Sequence, residues 1–310
     1  MSVELAAGEH ISSSQTEKRT AAKVVRGFYE LTKPGITQMV VLTAAVGYYL
    51  SLPQALEFAA TENLIRFVLF TLGTAFVSAG ACTFNHVMER HDDAVMKRTV
   101  LRPIPSGLIS AQQASLFGAF ATLAGLAMLW FVNEITLLLA LTTSLVYLVL
   151  YTPLKKRSWL AMFVGGIPGA LPAVGGCTAV AGSLTSTSLV LFAIMFVWQM
   201  PHFLALAMMY RNDYDRGGFA LLRREESSQR VVAVHALVYT VILLPVGLML
   251  FFMGVAGSMF AVGYAILSIA FIKSAAEVLA DTTPARARRL LLSSYAHIMG
   301  AFLLMVIDRN

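Results

Sequence analysis

The sequence predicts an all-α polytopic membrane protein of nine transmembrane helices, and three observations carry that expectation. Of its 310 residues, 57% are hydrophobic and only 13% are charged, against about 25% charged in an ordinary soluble domain. The mean hydropathy is +0.72. The 23 basic residues are also unevenly distributed along the chain. So few charges cannot cover a water-facing surface of this size, which excludes a soluble enzyme, and the apolar content excludes disorder.

A helix crosses the hydrocarbon core with about 20 apolar residues. Runs of that kind occupy roughly 36–52, 64–87, 112–132, 135–152, 159–180, 187–209, 231–254, 257–279 and 290–307. None alternates with the two-residue period of a barrel strand, so each reads as a helix. Residues 1–27 read as a polar cytoplasmic tail: Glu4, Glu9 and Glu17 stand beside Lys18, Arg19 and Lys23, with no apolar stretch suited to a secretory signal. Residues 28–310 read as a single membrane-embedded domain. Cys82 and Cys177 both lie in apolar runs and read as small packing residues, not a disulfide or a metal site.

Twenty of the 23 basic residues fall in the tail and in the connections after spans two, four, six and eight. The intervening connections carry no Lys or Arg. The positive-inside rule makes the basic side cytoplasmic, with the N-terminus in and the C-terminus out. The net charge of +6 is then largely orientation and membrane-surface electrostatics rather than a nucleic-acid signal. Acids do not follow that rule, yet Glu89, Asp92, Asp93, Asp213, Asp215, Glu225 and Glu226 all sit in the two basic connections after spans two and six. Chemistry is expected in those loops.

After span two, Asn85, Glu89 and Asp93 fall at i, i+4 and i+8. On a helix continuing past the membrane face they would share a stripe about 80° wide and climb roughly 12 Å. Like charges at that spacing repel unless a cation occupies the face. Mg²⁺ needs only one or two carboxylates and completes its octahedron with water and substrate phosphate oxygens. Lys97, Arg98 and Arg102 follow, and Arg offers a fork that suits phosphate. The same acids could instead form local salt bridges, Glu89 with Arg90 or Asp93 with Lys97, on a solvated helix extension.

Span six carries Pro201 and His202, then Tyr210, Arg211, Asp213 and Arg216 at its end. Proline should kink that helix. An intramembrane histidine points to a functional site, although a neutral imidazole bonded to a neighbouring helix satisfies the position equally well. Between the two loops lie Tyr151 and Lys155, and then Gly165, Gly166, Pro168, Gly169 and Pro172, which permit close helix approach or leave room for a ligand.

The run from Asn85 through Glu89, Asp93, Met96, Arg98, Thr99 and Arg102 to Pro103 resembles the first signature of the UbiA superfamily of intramembrane prenyltransferases. Glu at 89 and the following Pro103, Pro105 and Gly107 are similar to its protoheme IX farnesyltransferase (heme O synthase) branch. Pro201-His202-Phe203 with Tyr210, Arg211, Asp213 and Tyr214 resembles that branch's second signature, and Tyr151 with Lys155 its lysine motif. Two departures stand out: Gly217 replaces the superfamily's second carboxylate, and residues 219–223 do not follow the branch pattern.

The resemblance implies a central cavity opening to the cytoplasmic side and farnesyl transfer from farnesyl diphosphate to a vinyl group of heme b. It implies Mg²⁺ held by Asn85, Glu89, Asp93 and Asp213, and diphosphate held by Lys97, Arg98, Arg102, Tyr151, Lys155 and Arg211. His202 is the candidate for heme contact, with His86 and His91 as alternatives. It further implies a bacterial inner-membrane location and association with heme A synthase or terminal oxidase assembly. The alternative within the superfamily is prenylation of an aromatic quinone precursor such as 4-hydroxybenzoate. A transporter would place charges near the bilayer midplane, whereas here they cluster at one face.

Overall fold

The structure, a computed structural model, describes residues 20–218 and 229–310. Most of the tail and the divergent residues 219–228 lie outside the described residues. Those described are helical, with one isolated bridge between Ala256 and Arg309 and no strand among them.

The chain enters through α1 (Ala21–Leu31), capped by the Thr20 hydroxyl on the Lys23 N–H. This helix begins within the segment expected to be a tail, so structure starts earlier than residue 28. Then come α2 (Pro34–Ser51), α3 (Thr61–Met88), the short α4 (Arg90–Val95), α5 (Ala111–Trp130) and α6 (Glu134–Leu145). The last runs on through a π-helical turn (Val146–Tyr151) into α7 (Thr152–Leu154). They are followed by α8 (Ala161–Ala181), α9 (Ser186–Met209), α10 (Arg211–Arg216), α11 (Gln229–Phe252), α12 (Ser258–Ala280) and α13 (Pro284–Ile307).

Local chemistry sets several of these ends. Ser110 with Gln113 and Thr185 with Ser188 form reciprocal capping boxes at α5 and α9, each satisfying two orphan backbone donors. Gly182 closes α8 at φ +65°, a conformation that glycine adopts without a Cβ penalty. Pro201 lies inside α9, which continues through it.

Among the described residues eight helices are long and apolar enough to cross a membrane; the 18-residue α2 is not among these eight. It nevertheless packs in the bundle, against α8 and α3. Further contacts join α3 to α5, α8 to α6 and α9, and α9 to α11 and α13. Small residues make the tightest of these crossings. At Gly176 of α8 an added Cβ would overlap the Ala44 carbonyl of α2, and at Gly125 of α5 it would lie 2.6 Å from the Gly73 carbonyl of α3. Backbones approach this closely in membranes because lipid offers no hydrophobic drive and packing must supply the attraction.

The outward faces are apolar. Leu116, Phe120 and Leu123 lie on one side of α5, with Trp130 and Phe131 at its end, all largely exposed. In water such a surface would aggregate; against acyl chains it is the expected face of a multi-pass membrane protein. Cys82 and Cys177 are both free and buried, as expected.

Candidate active site

Helix α3 stops at Met88, and Glu89 sits at the junction with φ −91° and ψ 6°. The expected unbroken helical stripe is therefore interrupted. The i,i+4 register nonetheless survives, because the Glu89 N–H donates to the Asn85 carbonyl (2.9 Å) and the Asp93 N–H to the Glu89 carbonyl (2.8 Å). Asn85, Glu89 and Asp93 are all buried, so the solvated helix extension weighed from sequence does not form.

Each of these groups faces a cation from elsewhere in the chain. Lys33 Nζ donates to Asn85 Oδ1 at 2.5 Å and to the Tyr147 hydroxyl at 3.5 Å. Asn85 Nδ2 in turn donates to Thr152 Oγ1 at 3.0 Å. Glu89 pairs with Lys155, and Arg102 Nη1 contacts both oxygens of Asp93. Asp92 pairs with Lys156 at 2.6 Å, and Asp213 with Arg216. The local bridges from Glu89 to Arg90 and from Asp93 to Lys97 are not the ones made. Arg90 bonds the Val87 carbonyl instead, and Lys97 is exposed.

Electrostatics follow this pairing. Burial pushes the Asp93 carboxyl up, but the neighbouring His86 and the hydrogen bonds and charge of Arg102 outweigh it and hold Asp93 below the usual carboxylate range. Lys155 is raised: burial opposes its charge, and Tyr151 and Glu89 more than compensate. Lys33 is lowered to about 8, mainly by burial. It is also the one non-glycine residue with positive φ among those described (φ 46°, ψ 65°). Such a conformation costs of order 1–3 kcal/mol, and proline at 34 narrows the alternatives further. From this conformation the Nζ reaches Asn85. Lys33 was not among the expected site residues; the only sequence signal was a lysine directly before a helix-opening proline.

The second loop reaches the first. Arg98 lies over the Tyr210 ring at 5.2 Å. Burial raises the Tyr214 hydroxyl against the opposing charges of Arg98 and Lys155. Asp213 and Arg211 are half-buried on α10 beside this contact. Tyr151 stacks on Tyr147 at 5.5 Å and carries Lys155 Nζ 4.8 Å from its ring centroid.

Below this charged cluster lies a largely apolar cavity of about 650 Å³, running between α2, α3, α6, α8 and α9. Cys82, Tyr147 and Tyr151 line its charged end, while Phe70, Leu129 and Thr136 line deeper parts. His202 lines it from α9, but His86 and His91 do not: His86 is buried 3.8 Å from Asp93, and His91 is exposed on α4.

Among the described residues no three His, Cys, Asp or Glu side chains are grouped closely enough to hold a metal ion by themselves. That donor set still fits Mg²⁺ arriving with a diphosphate, because one or two carboxylates suffice when phosphate oxygens and water complete the shell. Glu89 and Asp93 are two buried carboxylates, Asn85 adds an amide oxygen, and their present partners are cations that a diphosphate would attract.

A family model described as the UbiA prenyltransferase family matches residues 40–303. A protoheme IX farnesyltransferase of Solibacter usitatus is 39% identical over 289 residues, covering 92% of this chain and 99% of the relative. One of Koribacter versatilis is 35% identical over 302 residues, covering 93% and 95%. Among solved structures, a digeranylgeranylglyceryl phosphate synthase superposes with a TM-score of 0.75 at 18% identity, covering 92% of this chain and 98% of that one. A UbiA homologue from Archaeoglobus fulgidus bound to GPP and Mg²⁺ superposes with a TM-score of 0.65 at 19% identity, covering 90% and 99%.

Proposed function

The chain belongs to the UbiA prenyltransferase family, and we propose that it transfers the farnesyl group of farnesyl diphosphate to a vinyl group of heme b, giving heme O and diphosphate. The observation that carries this reading is the buried Asn85, Glu89 and Asp93, each paired with a cation, at one end of an apolar cavity. The names of the relatives favour heme b over an aromatic quinone precursor as acceptor.

Asn85, Glu89, Asp93 and Asp213 would hold Mg²⁺. A bound Mg²⁺ would neutralise charge gathering on the leaving diphosphate. Lys33, Arg98, Arg102, Lys155 and Arg211 bind the diphosphate, and their preorganised charges act where negative charge develops. On binding, the cations turn from carboxylates to phosphate oxygens, which would leave Glu89 and Asp93 free to hold Mg²⁺. Lys97 is exposed and serves the approach of the anion rather than its grip.

The C1–O bond of the donor breaks, and a C–C bond forms at the terminal vinyl carbon. Water then adds to the neighbouring carbon with loss of one proton. The Tyr147 and Tyr151 rings border the passage from charge cluster to cavity, where aromatic faces favour positive charge. The apolar cavity wall keeps bulk water from capturing the allylic cation first. The protein sits in the bacterial cytoplasmic membrane with its basic loops inside, and its partners are the heme A synthase or terminal oxidase assembly that uses heme O.

The test is detergent-purified protein incubated with Mg²⁺, farnesyl diphosphate and either heme b or 4-hydroxybenzoate. Hydroxyethylfarnesyl heme from the first acceptor alone supports the reading. Product from the second alone overturns it.

A further inference from the structure

His202 stands out among the buried histidines because it alone lines the cavity, with one of its two ring nitrogens bonded to a neighbouring helix. Its Nδ1 lies 2.9 Å from the Ser294 hydroxyl of α13, and the ring lines the cavity. Nε2 has no hydrogen-bond partner among the described residues. The side chain as a whole is only 8% exposed.

The proton on this imidazole can be placed from the second bond that Ser294 makes. Its hydroxyl donates to the Leu291 carbonyl at 2.6 Å. A hydroxyl carries a single proton, so towards His202 the Ser294 oxygen can only accept. Nδ1 is therefore the protonated nitrogen, and the lone pair resides on Nε2, on the ring that borders the cavity. The same serine holds the neighbouring turn of α9 as well, because its carbonyl accepts from Trp198 Nε1 at 2.8 Å. Trp198 stacks on the His202 ring at 5.2 Å, and Tyr295 meets that ring edge-on at 5.0 Å. All three rings line the cavity.

The second intramembrane pair of this kind gives a useful contrast. His297 Nε2 lies 3.1 Å from the Ser268 hydroxyl, and its ring is enclosed by Tyr264 and Phe271. That histidine does not border the cavity and reads as packing. His202 differs in having a fixed tautomer and a cavity position.

The geometry points to Ser294 as a positioning residue that fixes His202 as the Nδ1–H tautomer, so that Nε2 is an axial ligand for the iron of the porphyrin acceptor. This assignment rests on the proposed reaction, which supplies the iron porphyrin. A metal-ligating histidine ordinarily donates its other N–H to an oxygen acceptor that sets its orientation and basicity, and loss of that partner typically costs about ten- to a hundredfold in metal affinity. Tyr295, at 86° to the imidazole, provides an aromatic face against which a flat macrocycle can lie, while Trp198 stacks on the imidazole and holds its orientation. Iron ligation here orients the acceptor, and Ser294 touches no reacting atom.

The experiment titrates ferric heme b into detergent-purified full-length protein and records absorption and electron paramagnetic resonance spectra, with farnesyl transfer measured on the same samples. Wild type is expected to give a histidine-ligated spectrum that His202→Ala loses. Should that variant fail to fold, judged by loss of farnesyl diphosphate binding, His202→Gln replaces it. Ser294→Ala is expected to bind heme about tenfold or more weakly with an altered ligand field, and Ser294→Thr, which keeps the acceptor oxygen, to retain the wild-type spectrum. A histidine-ligated spectrum persisting in His202→Ala or His202→Gln overturns the ligand assignment. Identical spectra and affinities for wild type and Ser294→Ala overturn the role of Ser294. Turnover distinguishes these results from failure of the reaction itself: wild-type protein that binds heme through His202 but forms no farnesylated heme contradicts the function and leaves the ligand in place.

Discussion

Arg102 Nη1 lies 2.7 Å from Oδ1 and 2.8 Å from Oδ2 of Asp93, nine residues earlier in the chain. Asp93 is 1% exposed and Arg102 24%, so one end of this pair is fully withdrawn from water and the other is within reach of an arriving ligand. Arg102→Ala leaves a buried charge uncompensated. It should cost about 2–4 kcal/mol, below the upper end for fully buried pairs because Arg102 is partly solvated. Thermal unfolding in detergent checks this, and the double variant Asp93→Asn with Arg102→Ala should recover part of the loss. Stability unchanged in Arg102→Ala would show that the pair contributes nothing to the fold.

Glu89 and Asp93 are proposed to exchange their cations for metal. Glu89→Ala and Asp93→Ala should abolish farnesyl transfer while leaving membrane insertion intact. Chelation of Mg²⁺ should stop turnover in the wild type and be reversed by adding the ion back. Wild-type rates in either variant would remove that residue from the metal site.

Lys33 combines a strained backbone with a charged contact to Asn85. Charged hydrogen bonds are worth about 1.5–3 kcal/mol, so Lys33→Gly should weaken farnesyl diphosphate binding by roughly tenfold or more. Glycine accepts positive φ without penalty, so relief of backbone strain should offset part of the stability lost with the bond to Asn85, and the melting temperature should fall less than in Lys33→Ala. Calorimetric binding and a melting curve separate the two effects. Lower stability with unchanged affinity would make Lys33 a structural residue.

Neighbouring glycines of α8 should respond in opposite directions. A Cβ at Gly175 meets only Phe70 Cε2 at 3.8 Å, whereas one at Gly176 overlaps the Ala44 carbonyl and lies 2.5 Å from the Tyr48 nitrogen. Gly175→Ala should stabilise by about 0.5–1 kcal/mol through helix propensity, and Gly176→Ala should destabilise by about 1–3 kcal/mol through overpacking. Equal melting temperatures for the two variants would contradict the close α2–α8 crossing.

The features legible in the sequence were those set by local spacing or composition. Apolar run length marked the spans, and the four-residue interval from Asn85 through Glu89 to Asp93 marked one wall of the candidate site. Their partners were not legible, because Lys33, Lys155 and Arg102 reach them from other segments and only tertiary packing decides which cation meets which acid. Local spacing suggested a bridge from Asp93 to Lys97, and the loop instead turned Lys97 outward and brought Arg102 back. His202 was visible as an intramembrane histidine. Ser294, 92 positions away in an apolar helix, became meaningful only once α9 and α13 were in contact.

The central claim is farnesyl transfer to heme b, and mass spectrometry of hemes extracted from cells expressing this chain tests it most directly. The account predicts a hydroxyethylfarnesyl derivative of heme b in cells carrying the wild-type chain, and its absence in cells carrying Asp93→Ala. Unmodified heme b alone, with the wild-type protein present in the membrane and farnesyl diphosphate available, would contradict it.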